Sequence, residues 1–276
     1  MKSWTSGLSH IFLLLFSCIM LLPIYFAIVA ASHAGTDLIH APLPLIPGSL
    51  LWHNIGTVFG SQSKALLGQS LSTLLFNSAM MASCIALGKI ILAVTSAFAL
   101  TYFDLPYKRW CFAIIFSTMM LPVEVRIVPT FQLVASLTWI NTYSGLTFPL
   151  MASATATFLF RQFFNTLPRE LVDAATLDGA GPWRYFWDIA FPLSRGPMAA
   201  LFFVLFVYGW NQYLWPLVAV TDSSMSTVVM GIRSLVGVAD QVPQWQYIMT
   251  IVLIGMLPPC LVVLSMQKSF EGGVSN

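Results

Sequence analysis

Long apolar runs separated by short polar stretches set the pattern of this chain. A membrane-crossing helix needs about 20 mostly apolar residues. Six stretches meet that length, at roughly 11–31, 73–102, 110–130, 143–161, 199–220 and 247–267. The first is too long for the apolar part of a signal peptide and has only Lys2 as a preceding positive charge, so it reads as a retained helix. The pattern predicts an all-α, polytopic membrane protein with six transmembrane helices.

The polar stretches differ in kind. From Ser32 to Gln69 the chain carries Pro42, Pro44, Pro47 and several glycines, which suit an irregular surface excursion rather than a further span. A second such loop lies between Asp222 and Gln246. The longest polar interval, 161–198, is more ordered. Pro168 can open a helix there, because a first-turn residue has no intrahelical N–H bond to lose. Glu170 and Asp173 lie near its positive end. After Asp178, Gly179 is placed to end it in a left-handed conformation. Gly181-Pro182 makes a turn, and a second short helix is expected from about Pro182 to Ala190, stopped before Pro192. Ala174 and Ala175 leave one patch without bulk, open to close approach by another protein surface. Trp183, Tyr185, Phe186 and Trp187 add aromatic surface suited in part to the membrane interface. On composition alone, an amphipathic loop lying on the bilayer accounts for the interval equally well.

Composition fixes the class. The chain is 58% hydrophobic and 8% charged, where a soluble domain carries roughly 25% charged residues. A net charge of +2 and no basic patch with interleaved aromatics exclude nucleic acid as a partner. Lys and Arg in the loops set the orientation. With the N-terminus in the cytoplasm, Lys2, Lys108, Arg109, Arg161, Arg169, Arg184, Arg195 and Lys268 lie inside, against Lys64, Arg126 and Arg233 outside or near the outer end. Both termini are then cytoplasmic, and the interval 161–198 faces the cytoplasm. Cys18, Cys84, Cys111 and Cys260 fall in apolar runs with no C-x-x-C pair, so they read as buried hydrophobes. His10, His33, His40 and His53 have no carboxylate cluster beside them, which argues against a metal site. No paired carboxylates and no Ser/His pair point to an enzyme.

Lys89, Glu124 and Arg126 place charge inside expected spans. A basic side chain at mid-bilayer costs about 2.5–3.5 kcal/mol on insertion scales, so such residues face a partner or a water-filled path. Lys89 is thirteen residues from the inner end of its span, about 20 Å deep at the helical rise. Glu124 and Arg126 follow Pro122, where a helix break is plausible, and broken helices line many transport sites. Glu124 paired with a charge on a neighbouring helix or subunit is the structural alternative. Trp210, Asn211 and Gln212 add two amides to an apolar span. They can bind polyol hydroxyls or simply hold helices together.

The interval 161–198 carries a motif. Asp173-Ala174-Ala175, then Gly179, then Ile189, Phe191 and Pro192 resemble the signature of importer permeases of the ATP-binding cassette (ABC) family: Glu-Ala-Ala, three residues, Gly, nine residues, Ile-x-Leu-Pro. Asp173 stands for Glu and Phe191 for Leu, both conservative changes. The stretches "NSAMMASCIALGK", "SAFALTYFDLPYKR", "MLPVEVRIVPT" and "YGWNQYLWPL" extend the likeness to the carbohydrate-type permeases over most of 72–267. Residues 120–127 and 150–164 resemble more narrowly the permeases of glycerol-3-phosphate importers.

The resemblance implies an ABC type-1 importer permease fold. An N-terminal helix and external segment would occupy 1–71, the transmembrane core 72–267 with a coupling helix at 168–192, and a cytoplasmic tail 268–276. It implies that Glu170, Asp173, Ala174, Ala175, Asp178, Gly179, Ile189 and Pro192 meet an ATPase subunit, and that Lys89, Glu124, Arg126, Trp210, Asn211 and Gln212 are candidates for the solute path. It further implies a second homologous permease, two ATP-binding cassette subunits carrying ATP and Mg²⁺, an extracytoplasmic solute-binding protein and a bacterial cytoplasmic membrane. This chain itself carries no cofactor in that reading. Gly88-Lys89 lacks the other Walker A residues, so hydrolysis falls to another chain. The expected solute is sn-glycerol 3-phosphate or a glycerophosphodiester. A neutral sugar or oligosaccharide in the same family is the alternative, and a secondary transporter a more distant one.

Overall fold

The computed structural model describes residues 2–236 and 242–274. Residues 237–241 of the second loop, residues 275–276 of the expected tail, and the side chains of Lys2 and Lys268 lie outside what is described. The helices in chain order are α1 (Lys2–Ala31), α2 (Leu51–Phe59), α3 (Gln62–Leu67), α4 (Leu71–Tyr102), α5 (Lys108–Ser117), α6 (Val123–Ser136), α7 (Tyr143–Thr147), α8 (Ala154–Thr166), α9 (Glu170–Leu177), α10 (Pro182–Tyr185), α11 (Phe191–Leu193), α12 (Arg195–Trp210), α13 (Leu214–Ala219), α14 (Val228–Val236) and α15 (Trp245–Val274). No strand occurs among the described residues. The fold is all-α.

Among the described residues, three stretches of helix are long and apolar enough to cross a membrane unaided: Ser9–Ala31, Leu71–Tyr102 and Trp245–Ser265. A fourth qualifies only as a bent pair, Pro182–Leu193 with Arg195–Trp210, turned by 66°. The remaining expected spans are interrupted, each for a local reason. In 110–130, α5 gives way to a 3₁₀ turn at Thr118–Met120 and to extended backbone at Leu121, because Pro122 bars the α conformation from the residue before it. α6 then restarts at Val123. In 143–161, a 3₁₀ turn at Phe148–Leu150 contains Pro149, and α8 begins afresh where the Ser153 hydroxyl accepts from the Ala156 N–H at 3.3 Å. In 199–220, α12 ends at Trp210 and α13 starts at Leu214. Pro216 cannot donate to the carbonyl of Gln212 and its ring crowds that carbonyl, so one helix cannot run through both. Irregular backbone at membrane depth is tolerated where it is enclosed by protein or lines a cavity.

One expectation is corrected. The second helix of the interval 161–198 does not stop before Pro192. It widens to a π-helical turn at Phe186–Ala190 and continues through Pro192 to Leu193. The Phe191 N–H bonds the Phe186 carbonyl five residues back, and this wider turn leaves room for the proline ring that a regular α turn would exclude.

The chain forms two compact units. One holds the chain up to Leu75 together with Met230–Leu257; the other holds Phe76–Val229 and the chain from Pro258. In the second, α4 buries Met81, Ala82, Ile85, Ala86, Ile90, Ala93, Val94 and Ala97, a stripe at three- and four-residue spacing. α12 approaches it backbone to backbone. A Cβ on Gly209 would lie 2.9 Å from Ala82 Cα, so the seam is closed by small residues, as in membrane helix pairs that pack by close approach.

Candidate functional site

Two regions of the second unit carry the residues that the sequence marks out. The first is the interval 161–198. α9 opens at Glu170, two residues after Pro168, with Glu170 and Asp173 in its first turn. It closes in a Schellman arrangement: the Ala180 N–H bonds Ala175 O at 2.8 Å and the Gly179 N–H bonds Thr176 O at 3.0 Å. Gly179 sits at φ +69° with open space where a Cβ would be. Its requirement is conformational rather than steric. The two alanines have opposite surroundings: Ala175 is buried, whereas Ala174 is exposed with Glu170, Asp173, Asp178 and Gly179. Ile189 and Pro192 are half-buried.

An aromatic cluster anchors this interval. Phe98 near the end of α4 lies 4.8 Å from Phe186, 4.9 Å from Tyr102 and 6.0 Å from Phe164, measured between ring centroids. Tyr185 lies 5.1 Å from Tyr102, and its hydroxyl donates to the Tyr102 hydroxyl at 3.4 Å. Offset and edge-on ring pairs contribute about 0.5–1.5 kcal/mol each beyond burial. Two large apolar side chains stand outward among the exposed acidic groups: Leu177 is 89% exposed and Trp183 69%. Sequence reasoning passed over Leu177. Its signal was an apolar side chain in the last turn of a short acidic helix, beside the Asp-Gly turn.

The second region is a cavity of about 110 Å³ lined by Lys89, Arg126, Ile127, Thr130, Pro149, Leu150, Ala152, Tyr208 and Trp215. The helix interruptions supply much of its wall: the first turns of α6, the 149–152 break and the start of α13. Lys89 is 7% exposed, and its Nζ sits 4.3 Å from the centroid of the Tyr208 ring, a cation–π contact. The Gly209–Ala82 seam is what brings Tyr208 this close. Trp215 is fixed by its indole N–H donating to Gly145 O at 3.1 Å. No carboxylate belongs to the lining, and among the described residues neither Lys89 nor Arg126 is in an ion pair.

The other path candidates lie off this cavity. Glu124 is exposed and unpaired among the described residues, two residues from Arg126 and so on another helix face. Trp210 is buried and stacks on Phe206 at 5.8 Å; two residues beyond Tyr208, it faces the helix packing. Gln212 Nε2 donates to Tyr208 O at 3.2 Å and closes the turn, while Asn211 is exposed at the end of α12. Tyr208 and Thr130, which line the cavity, were not singled out, and Trp215 was noted only as an aromatic beside Asn211 and Gln212. An aromatic one helical turn before a Gln in an interrupted apolar span is the cue that marks Tyr208.

A family model described as "Binding-protein-dependent transport system inner membrane component" matches residues 89–276. The chain belongs to that family. It is a transport permease embedded in a membrane. The permease is 46% identical over 267 residues to the sn-glycerol-3-phosphate transport system permease protein UgpE of Rhizobium meliloti (strain 1021), covering 97% of this chain and 95% of that one. Its identity to the protein of the same name from Yersinia enterocolitica serotype O:8 / biotype 1B is 48% over 268 residues, covering 96% and 94%. Its fold matches a chain in the crystal structure of a bacterial ABC transporter involved in the import of the acidic polysaccharide alginate, with a TM-score of 0.82, 18% identity and 96% of each chain covered. The architecture is that of an ABC type-1 importer permease.

Proposed function

We propose that this permease forms half of the membrane pathway of an ATP-driven importer for sn-glycerol 3-phosphate or a related glycerophosphodiester. A second, homologous permease completes the pathway. Two ABC subunits hydrolyse ATP with Mg²⁺, and an extracytoplasmic solute-binding protein delivers the solute. The chain lies in the bacterial cytoplasmic membrane with both termini in the cytoplasm.

The observation that carries the solute is the pair Lys89 and Arg126 in one cavity without a carboxylate in its wall. A phosphate entering a low-dielectric site needs compensating charge and donors. Arg126 offers a forked pair of N–H groups and Lys89 a mobile point charge. A neutral sugar needs no such pair. The name of the relatives supports the same solute. On this reading the interval 168–192 docks on the ATPase through Ala174, Leu177, Gly179 and the neighbouring acidic groups. Closure is passed through Tyr185 and Phe186 to Phe98 and Tyr102, and along α4 to Lys89. Tyr102 is thirteen residues from Lys89, about 20 Å at the helical rise.

The test is uptake into proteoliposomes with the cognate binding protein. Lys89→Gln and Arg126→Gln are expected to leave the complex assembled with its basal ATPase while lowering uptake of the phosphorylated solute about tenfold or more, as loss of a charge-assisted bond of 1.5–3 kcal/mol implies. Unchanged uptake in both variants, or equal transport of a neutral sugar by the wild type, overturns the proposal. Orientation is tested with single cysteines in a cysteine-free background. Ser61→Cys and Ser224→Cys should label from outside, and Thr176→Cys should not. Ser194 is a poor cytoplasmic probe, because it is buried with its hydroxyl donating to Ala190 O at 2.6 Å.

A further inference from the structure

Between Asp37 and Lys64 the chain has no Asp, Glu, Lys or Arg. A solvated loop of this length would carry several charges. Its apolar side chains are turned outward in the first unit: Ile39, Leu43, Leu45, Ile46, Trp52 and Phe59 are all exposed, Ile46 by 77% and Trp52 by 79%. In α2, Trp52 and Phe59 lie seven residues apart on one face, whereas Asn54 and Val58 are buried on the other. Asn54 secures that inner face by donating from Nδ2 to Ala31 O at 2.8 Å and His33 O at 3.1 Å.

The segment also folds back along α1. The Tyr25 hydroxyl donates to Leu45 O at 2.6 Å. Tyr25 is six residues before the end of the candidate span Ser9–Ala31, hence about 9 Å inside it along the helix axis. The Gly48 N–H bonds Ser32 Oγ at 2.8 Å and the Leu50 N–H bonds Ser32 O at 3.0 Å, which returns the chain to the end of α1. Irregular backbone away from water requires that its polar groups be satisfied or missing. Pro42, Pro44 and Pro47 have no N–H to satisfy, and the carbonyl of Leu45 is occupied by Tyr25.

We propose that residues 39–59 form an interfacial anchor, seated in the headgroup and upper acyl region of the leaflet reached by the end of α1, with lipid as the partner of the exposed apolar face. The apolar band that α1 presents along 11–22 continues into this segment without an intervening charge other than Asp37. Interfacial segments sit about 5–10 Å into the headgroup and acyl boundary, the depth at which Leu45 meets Tyr25. With the N-terminus inside, this is the outer leaflet.

The test uses the assembled transporter in nanodiscs. Single-cysteine variants Ile46→Cys and Trp52→Cys carry an environment-sensitive fluorophore, with Ser61→Cys as the aqueous reference. Lipids brominated near the headgroup are expected to quench Ile46 and Trp52 labels roughly twofold more than aqueous iodide does, as an interfacial depth requires, with the order reversed at Ser61. Iodide quenching at Ile46 and Trp52 equal to that at Ser61 overturns the proposal in favour of a solvated loop. Shielding from both quenchers overturns it in favour of a protein partner. The unmodified transporter supplies a second reading: photoreactive phosphatidylcholine with its reactive group close to the glycerol should form adducts on peptides from 39–59. Adducts confined to the α1 peptides count against the anchor.

Discussion

The interval 161–198 and the charged cavity both belong to the unit that holds Phe76–Val229, but their construction is opposite. The interval is one unbroken stretch of chain, closed by its own turn at Gly179 and held from behind by a few rings. The cavity has no contiguous sequence. α4, α6, the 149–152 break, α12 and α13 each bring it one to three residues. On the proposed function, the part that would carry motion is local, and the part that would open and close is divided among interrupted helices. Phe98 is the residue in which the two designs meet, since it packs against the interval and shares a helix with Lys89.

The largest effect is expected where that meeting point is removed. Phe98→Ala should destabilise the permease by about 3–5 kcal/mol, as for other buried aromatic deletions, and bring uptake in the assembled complex to background. Thermal unfolding in detergent and proteoliposome uptake together check it. Wild-type uptake in a correctly assembled Phe98→Ala complex would mean that the interval and the cavity work independently. A smaller, more local loss is expected at the turn. Gly179→Val places a β-branched residue at φ +69°, which costs roughly 1–2 kcal/mol in the left-handed region. ATPase co-purification should fall, whereas Gly179→Asn, which tolerates that conformation, should retain most of it. The smallest effect is expected at Arg184→Ala. The Arg184–Asp188 pair is 3.4 Å apart with both side chains mostly exposed, and such pairs contribute about 0–1 kcal/mol. Assembly and uptake should be unchanged within error; a large loss would identify Arg184 as a contact to the ATPase instead.

What could be read before any coordinates follows the same divide. Ile189 and Pro192 were marked by their spacing from Gly179, which was itself legible because its place after Asp178 has a conformational meaning. The break at Pro122 was legible for the same reason, and the charges of Lys89 and Arg126 drew attention because charge inside a span is costly. The cavity wall was not legible. Asn211 and Gln212 stood out as polar residues in an apolar run, yet which face of α12 lines the cavity depends on where Gly209 meets Ala82, a contact far apart in sequence. Tyr208 was hidden by that dependence. The continuation through Pro192 was misread because a proline normally ends a regular helix, and the wider turn that accommodates it has no pattern of its own. The return of the chain from Leu45 to Tyr25 rests on one hydrogen bond between a side chain and a distant carbonyl, which periodicity does not encode.

The Gly209–Ala82 seam has a kinematic consequence. Two backbones in direct contact cannot slide or separate without emptying the space between them. The backbones of α4 and α12 beside that contact, one carrying Lys89 and the other Tyr208, are therefore expected to move together. On the proposed transport role, changes in cavity size would fall to the opposite wall, α6 and the 148–153 stretch, where the hydrogen-bond ladder is already interrupted and bending is cheap. One wall would then act as a fixed jaw bearing Lys89, and the other as a moving jaw bearing Arg126.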